Sequence, residues 1–186
     1  MAIVAASFYA GSGASVEVGG GNWTLTANVV GAPNKGYSQS RLTSGDPSDH
    51  LRCYTFGASI PDGATALGLT VELYKLQTIP PPCSVKDLIV QWHDGVGLIG
   101  QNRADLVSEW PTSYDPPTVY GGSSDLWGLA LTPAQYRAAG FGLIVQADFN
   151  GLNSTARVDA VRWTLHYDDG LSSGHKWWGP FRWWSG

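Results

Sequence analysis

Apolar and polar residues alternate with a period of two in five stretches, the spacing of strands that bury one face. Trp23, Leu25, Ala27 and Val29 oppose Thr24, Thr26 and Asn28. Leu67, Leu69, Val71 and Leu73 oppose Gly68, Thr70, Glu72 and Tyr74. Leu88, Val90 and Trp92 oppose Ile89, Gln91 and His93. Phe141, Leu143, Val145, Ala147 and Phe149 oppose Gly142, Gln146 and Asp148, and the last stretch sets Val161, Trp163, Leu165 and Tyr167 against Arg162, Thr164 and His166. Shorter strands are predicted over 51–56 and 97–101. Turn chemistry separates them: Asp46 to Asp49, Pro61-Asp62-Gly63, the stiff Pro80-Pro81-Pro82 run, Asp94-Gly95 and the 111–117 loop. One helical segment is predicted, with Thr132 as N-cap, Pro133 at its first position and an end at Gly140.

Seven or eight such strands with little helix predict an all-β protein, an antiparallel β-sandwich of jelly-roll type with one short helix and extended terminal arms. Residues 1–21, small and glycine-rich up to Gly19-Gly20-Gly21, are expected to form a flexible N-terminal arm. Residues 22–167 form the sandwich, and 168–186 a linker and an aromatic C-terminal tail. Glycines after Tyr120 and Trp127 suit positive φ or close backbone approach at the sandwich rim, with Trp127 capping an end of the core.

Composition narrows the function. A length of 186 residues, 43% hydrophobic and 14% charged, suits one domain with a substantial core. A net charge of −4 with no cluster of Lys and Arg leaves no electrostatic footprint for nucleic acid. The start lacks the basic and apolar regions of a signal peptide, and no stretch is long enough to span a bilayer, so the chain is expected in a cytoplasm. Cys53 and Cys83 lie in no ligand spacing and are expected as free thiols. His50, His93, His166 and His175 are scattered, so no metal is expected. Asp46 and Asp49 beside His50 are explained by a turn whose carboxylates cap backbone amides, with calcium the alternative. Carboxylates such as Glu72, Asp148 and Asp159 show no pairing in sequence and no nucleophile elbow is present, so no catalytic residue and no cofactor are expected.

The densest feature is Trp177-Trp178-Gly179-Pro180-Phe181-Arg182-Trp183-Trp184. Each of its five large aromatics can bury roughly 150–250 Å². That surface calls for cover: the sandwich itself, a neighbouring polypeptide, or a membrane interface with Lys176 and Arg182 at the headgroups. The partner reading makes Trp177, Trp178, Phe181, Arg182, Trp183 and Trp184 the binding residues. A separate option is a sugar platform on Trp110, Tyr114 and Tyr120, with Trp92 as core.

Leu51-Arg-Cys-Tyr-Thr-Phe-Gly-Ala-Ser-Ile-Pro-Asp-Gly-Ala running into Leu67-Gly-Leu-Thr-Val-Glu-Leu resembles the first half of a β-sandwich domain of tailed-bacteriophage structural proteins. Tyr120-Gly-Gly-Ser-Ser-Asp-Leu-Trp-Gly, Leu131-Thr, Phe141-Gly and Val158-Asp-Ala-Val-Arg-Trp-Thr-Leu-His-Tyr resemble its second half. The likeness covers about two-fifths of the chain. It implies a non-enzymatic virion component made in the host cytoplasm, and transfers no active site. The expected function is capsid decoration, with the terminal arms gripping the major capsid protein or another virion protein. A homo-oligomer, preferably a trimer, is expected, with no nucleic acid and no membrane as partner. The alternatives are a glycan-binding module of a head or tail fibre and a neck or tail completion protein.

Overall fold

The computed structural model describes residues 3–41, 46–78, 83–151 and 153–170. The aromatic segment 177–184 and the Pro80-Pro81-Pro82 run lie outside the described residues. Eleven strands are described: β1 (Ile3–Tyr9), β2 (Ser12–Val16), β3 (Trp23–Thr24), β4 (Ser38–Arg41), β5 (His50–Tyr54), β6 (Thr65–Thr78), β7 (Ser84–His93), β8 (Leu98–Ile99), β9 (Thr118–Gly122), β10 (Gly142–Asn150) and β11 (Thr155–Asp168). A single α-helical turn, α1 (Pro133–Arg137), interrupts them.

The strands form two antiparallel sheets. One runs β3-β4-β11-β6-β9, with β1 also paired to β11, and the other runs β2-β5-β10-β7-β8. Taken alone, β4 to β11 give the orders 4-11-6-9 and 5-10-7-8, the winding of a jelly roll. The two long strands β6 and β11 pair along most of their length, from Thr155↔Thr78 to Asp168↔Thr65. Their apolar stripes meet those of β7 and β10 between the sheets. Trp92 and Trp163, from opposite sheets, touch edge to face with centroids 5.5 Å apart, and Phe141 stacks on Trp92 at 4.9 Å. Such aromatic pairs add about 0.5–1.5 kcal/mol each beyond the area they bury. Trp127 closes this end of the core: it is fully buried and its indole N–H donates to the Leu69 carbonyl at 2.9 Å. Gly121 makes that possible, since a Cβ there would lie 2.3 Å from both the Leu69 oxygen and the indole nitrogen.

The N-terminal arm is the main correction. Residues 3–16 are strand, not a flexible arm: β1 pairs with β11 from Ile3↔Asp168 to Tyr9↔Arg162, and β2 pairs with β5 from Ser12↔Tyr54 to Val16↔His50. The chain passes from one sheet to the other at the buried Ala10 and so laces one flank of the sandwich. Its small residues serve close approach rather than flexibility. A Cβ on Gly13 would lie 2.1 Å from the Thr26 carbonyl oxygen. The glycine triplet is likewise held in place, with Gly20 N–H donating to Asp49 Oδ1 and Gly21 N–H to the Pro47 carbonyl.

A second correction concerns 23–29. The alternation predicts one strand, but β3 ends at Thr24, Leu25 takes a left-handed conformation (φ 55°) and Thr26–Val29 form a 3-10 turn. Trp23 and Val29 still reach the core, but the turn between them leaves Leu25 62% exposed and Ala27 exposed as well, so the alternation holds only at its two ends. The helix follows the sequence closely. Thr132 and Gln135 form a capping box with Pro133 in the first turn, although the helix stops at Arg137 rather than Gly140.

Candidate functional site

Of the residues singled out in the sequence, the six of the aromatic tail lie outside the described residues. The three proposed for a sugar platform do not form one. Trp110 and Tyr120 are 1% and 6% exposed, buried in the core because their polar atoms are needed there, and Tyr114 is half-buried beside Tyr37, ring centroids 6.2 Å apart.

What Trp110 and Tyr120 surround is a buried ion pair. Lys75 follows Leu69, Val71 and Leu73 in phase on β6, and so points inward with them. Asp87 comes from β7 in the facing sheet. Lys75 Nζ donates to Asp87 Oδ1 at 2.5 Å, with side chains 4% and 0% exposed. Trp110 Nε1–H donates to Oδ1 at 2.7 Å, and the Tyr120 hydroxyl donates to Oδ2 at 2.7 Å. The Asp105 amide adds a bond to Oδ2 at 3.1 Å. The ammonium also lies 4.9 Å and 5.2 Å from the ring centroids of Trp110 and Tyr120. Burial pushes the Lys75 pKa down, and Asp87 opposes it. Burial and Asp87 push the Tyr120 phenol well up, so it stays protonated. A charge buried without partners costs several kcal/mol, and here each carboxylate oxygen has two donors. A bulge at Leu88 in β7, opposite Gln146 and Ala147 of β10, shifts the register, so that Asp87 faces inward with Val85 and Val90.

The carboxylates weighed for catalysis are dispersed and engaged. Glu72 holds Arg162 on the outer face of its sheet through both oxygens. Asp159, at a bulge in β11, accepts from the Asn34 and Lys35 amides. Asp148 accepts from the Phe149 amide. Asp49 does accept from backbone amides, but from Val18 and Gly20 on the glycine-rich segment, not from within its own turn. Among the described residues no three His, Cys, Asp or Glu side chains are grouped to hold a metal, and Cys53 is a buried thiol. No described helix is long and apolar enough to cross a membrane.

Among the described residues, a groove with room for another molecule lies where the described chain ends. Asp168 pairs with Thr65, and Gly170 follows against Gly63, where a Cβ would lie 2.7 Å from the Gly63 oxygen. Beside that exit is an open apolar groove of about 380 Å³, lined by Ala64, Ala66, Leu126, Leu129, Leu131 and Tyr136. Helix α1 sets Tyr136 into it and is fastened by Arg137, which donates to the Ile60 carbonyl at 2.7 Å and binds Asp62. The Tyr136 hydroxyl is buried without a hydrogen-bond partner, and burial pushes its pKa up to about 12. The sequence held no signal for this groove, because its walls are small apolar residues from three separate segments. The ion pair did leave one: Lys75 continues an apolar strand phase, where a charge has to be buried. Comparison with protein-family models, with curated proteins and with solved structures returns no match.

Proposed function

We propose that this chain is a non-enzymatic structural protein of a tailed-bacteriophage particle: a jelly-roll body that attaches to the capsid shell as a decoration protein through its C-terminal segment. The observation that carries the reading is the exit at Gly170. The sandwich is complete there, with β11 already paired on both flanks, yet sixteen residues follow, among them Trp177, Trp178, Phe181, Trp183 and Trp184. An aromatic segment that the body does not need for its own sheets suits an anchor in a partner's groove, with Arg182 as its charged member. Many copies on a symmetric shell turn a modest single contact into firm attachment. The major capsid protein is the partner this reading names, and a trimer the state it prefers, by analogy with additions at threefold positions.

Deleting residues 175–186 tests it. The shortened chain is expected to keep the cooperative unfolding of the full chain and to lose co-sedimentation with purified capsids. Retained binding overturns the reading, and a copy number of about a dozen or fewer per particle would move the protein to the neck. The glycan-binding alternative retains only Tyr114 of its three rings at the surface, and no observation favours it.

A further inference from the structure

The buried ion pair has the arrangement of a reaction waiting to occur. Lys75 Nζ lies 2.5 Å from Asp87 Oδ1 and 2.5 Å from the Tyr120 hydroxyl oxygen, and that hydroxyl donates to Asp87 Oδ2 at 2.7 Å. The three groups therefore close a ring of hydrogen bonds: the amine donates to the phenol, the phenol to one carboxylate oxygen, and the amine to the other. Trp110 Nε1–H is fixed on Oδ1 and the Asp105 amide on Oδ2. We propose that Lys75 and Asp87 condense in the folded protein to an intramolecular isopeptide amide between the two sheets, with Tyr120 relaying protons and Trp110 holding the oxyanion.

The step balances within the chain. The ammonium passes one proton through the Tyr120 hydroxyl to Oδ2, leaving a neutral amine beside a neutral carboxylic acid. The amine nitrogen attacks Cγ, a C–N bond forms, and the negative charge settles on Oδ1 under the Trp110 N–H. The nitrogen then gives a second proton through Tyr120 to the Oδ2 hydroxyl. The Cγ–Oδ2 bond breaks, one water leaves, and the charge on Oδ1 collapses to the amide carbonyl. Ammonium plus carboxylate becomes amide plus water, and neither oxidant nor co-reactant enters.

Two physical effects favour the reaction here over bulk water. Holding the groups in contact replaces a bimolecular encounter, worth effective molarities on the order of 10⁵ M or more when alignment is good. Burial penalises the two ions and not the neutral amide, so the fold that seals the pair weakens the reactant state. The lowered pKa of Lys75 acts in the same direction. The phenol of Tyr120 stays protonated, as a relay that both accepts and donates must.

Intact mass of the purified full chain decides the matter without any variant. A chain lighter than its sequence by one water is expected. After tryptic digestion, residues 53–86 should remain uncut after Lys75 and joined to 87–103 as one branched peptide. A chain at full sequence mass, giving separate peptides 53–75 and 76–86, overturns the proposal. Lys75→Arg should restore the full mass. Asp87→Asn should form the same bond by losing ammonia, and so arrive at the same final mass as the wild type. Tyr120→Phe should leave a fraction of folded chains unbonded, whereas complete bonding at the wild-type rate would remove Tyr120 from the relay. These readouts do not depend on capsid binding, so this inference stands or falls apart from the attachment reading.

Discussion

The two ends of the sandwich interior are built on different physics. At one end Trp92, Trp127, Trp163, Phe141 and Tyr136 meet in a cluster of edge-to-face and stacked rings. Six residues along β6 from Leu69, the same inward phase reaches Lys75, and the space between the sheets is filled by an ion pair in a cage of Trp110 and Tyr120. Dispersion and area burial are graded, so the aromatic end loses stability in proportion to what is removed. The charged end is closer to all-or-none, because each member satisfies another and a single deletion strands a charge away from water.

The sharpest test of that contrast is a pair of truncations. Measured against chains in which Lys75 and Asp87 are still an ion pair, Asp87→Ala should cost about 3–5 kcal/mol in urea unfolding, and most of it should return in the double variant Lys75→Met with Asp87→Leu. Trp92→Ala should cost a similar amount, about 3–5 kcal/mol, but no second substitution among its ring partners should recover it. If both ends respond alike to their double variants, the contrast fails. Phe8→Ala extends the comparison to the N-terminal lacing. Its ring sits 5.3 Å from that of Trp163, so a loss of about 1–3 kcal/mol is expected, whereas a flexible arm would show none.

The smallest effect is a slope in alkaline solution. Tyr136 titrates near 10 in the unfolded chain and at about 12 in the folded one. Between those values the folded state holds the proton that the unfolded state has released, so stability falls as pH rises through that window. Cys53 and Tyr120, both raised by burial, add to the fall, while in chains without the amide Lys75, lowered by burial, opposes it. Tyr136→Phe should flatten the dependence of the unfolding midpoint on pH above 10, and an unchanged slope would remove Tyr136 from the account.

How much of this was written in the chain depends on side-chain size. The long strands β6, β10 and β11 carry large apolar residues on one parity, and their positions were legible, as was the capped helix at Thr132. Strands β1 and β2 were not, because Ala5, Ala6, Gly13 and Ala14 give no contrast between faces, and glycine needed for close packing reads like glycine needed for flexibility. Leu25 shows the opposite failure: it sits on the apolar parity of a clear alternation, yet its left-handed backbone ends the strand and leaves it exposed. Strand β4, Ser-Gln-Ser-Arg, buries Ser38 and Ser40 through hydrogen bonds to the Thr24 and Gly21 carbonyls, a burial that hydropathy cannot show. For the proposed sites the sequence drew attention to Trp110 and Tyr120 as rings available to a ligand. Lys75 left a signal in its apolar phase, but its partner Asp87 became visible only when the two sheets were brought face to face.

The position of β11 has a consequence for biosynthesis. It holds β1 and β4 on one flank and β6 on the other, yet it is the last of the described strands to be translated. Three earlier strands of that sheet, β1, β4 and β6, must therefore wait, with edges unpaired, until residue 168 has cleared the ribosome. Closing Ile3 onto Asp168 spans nearly the whole described chain, the kind of distant pairing that makes folding slow. In that interval the open edges of β1, β4 and β6 are templates for pairing with other chains, so a chain stalled before β11 is expected to aggregate.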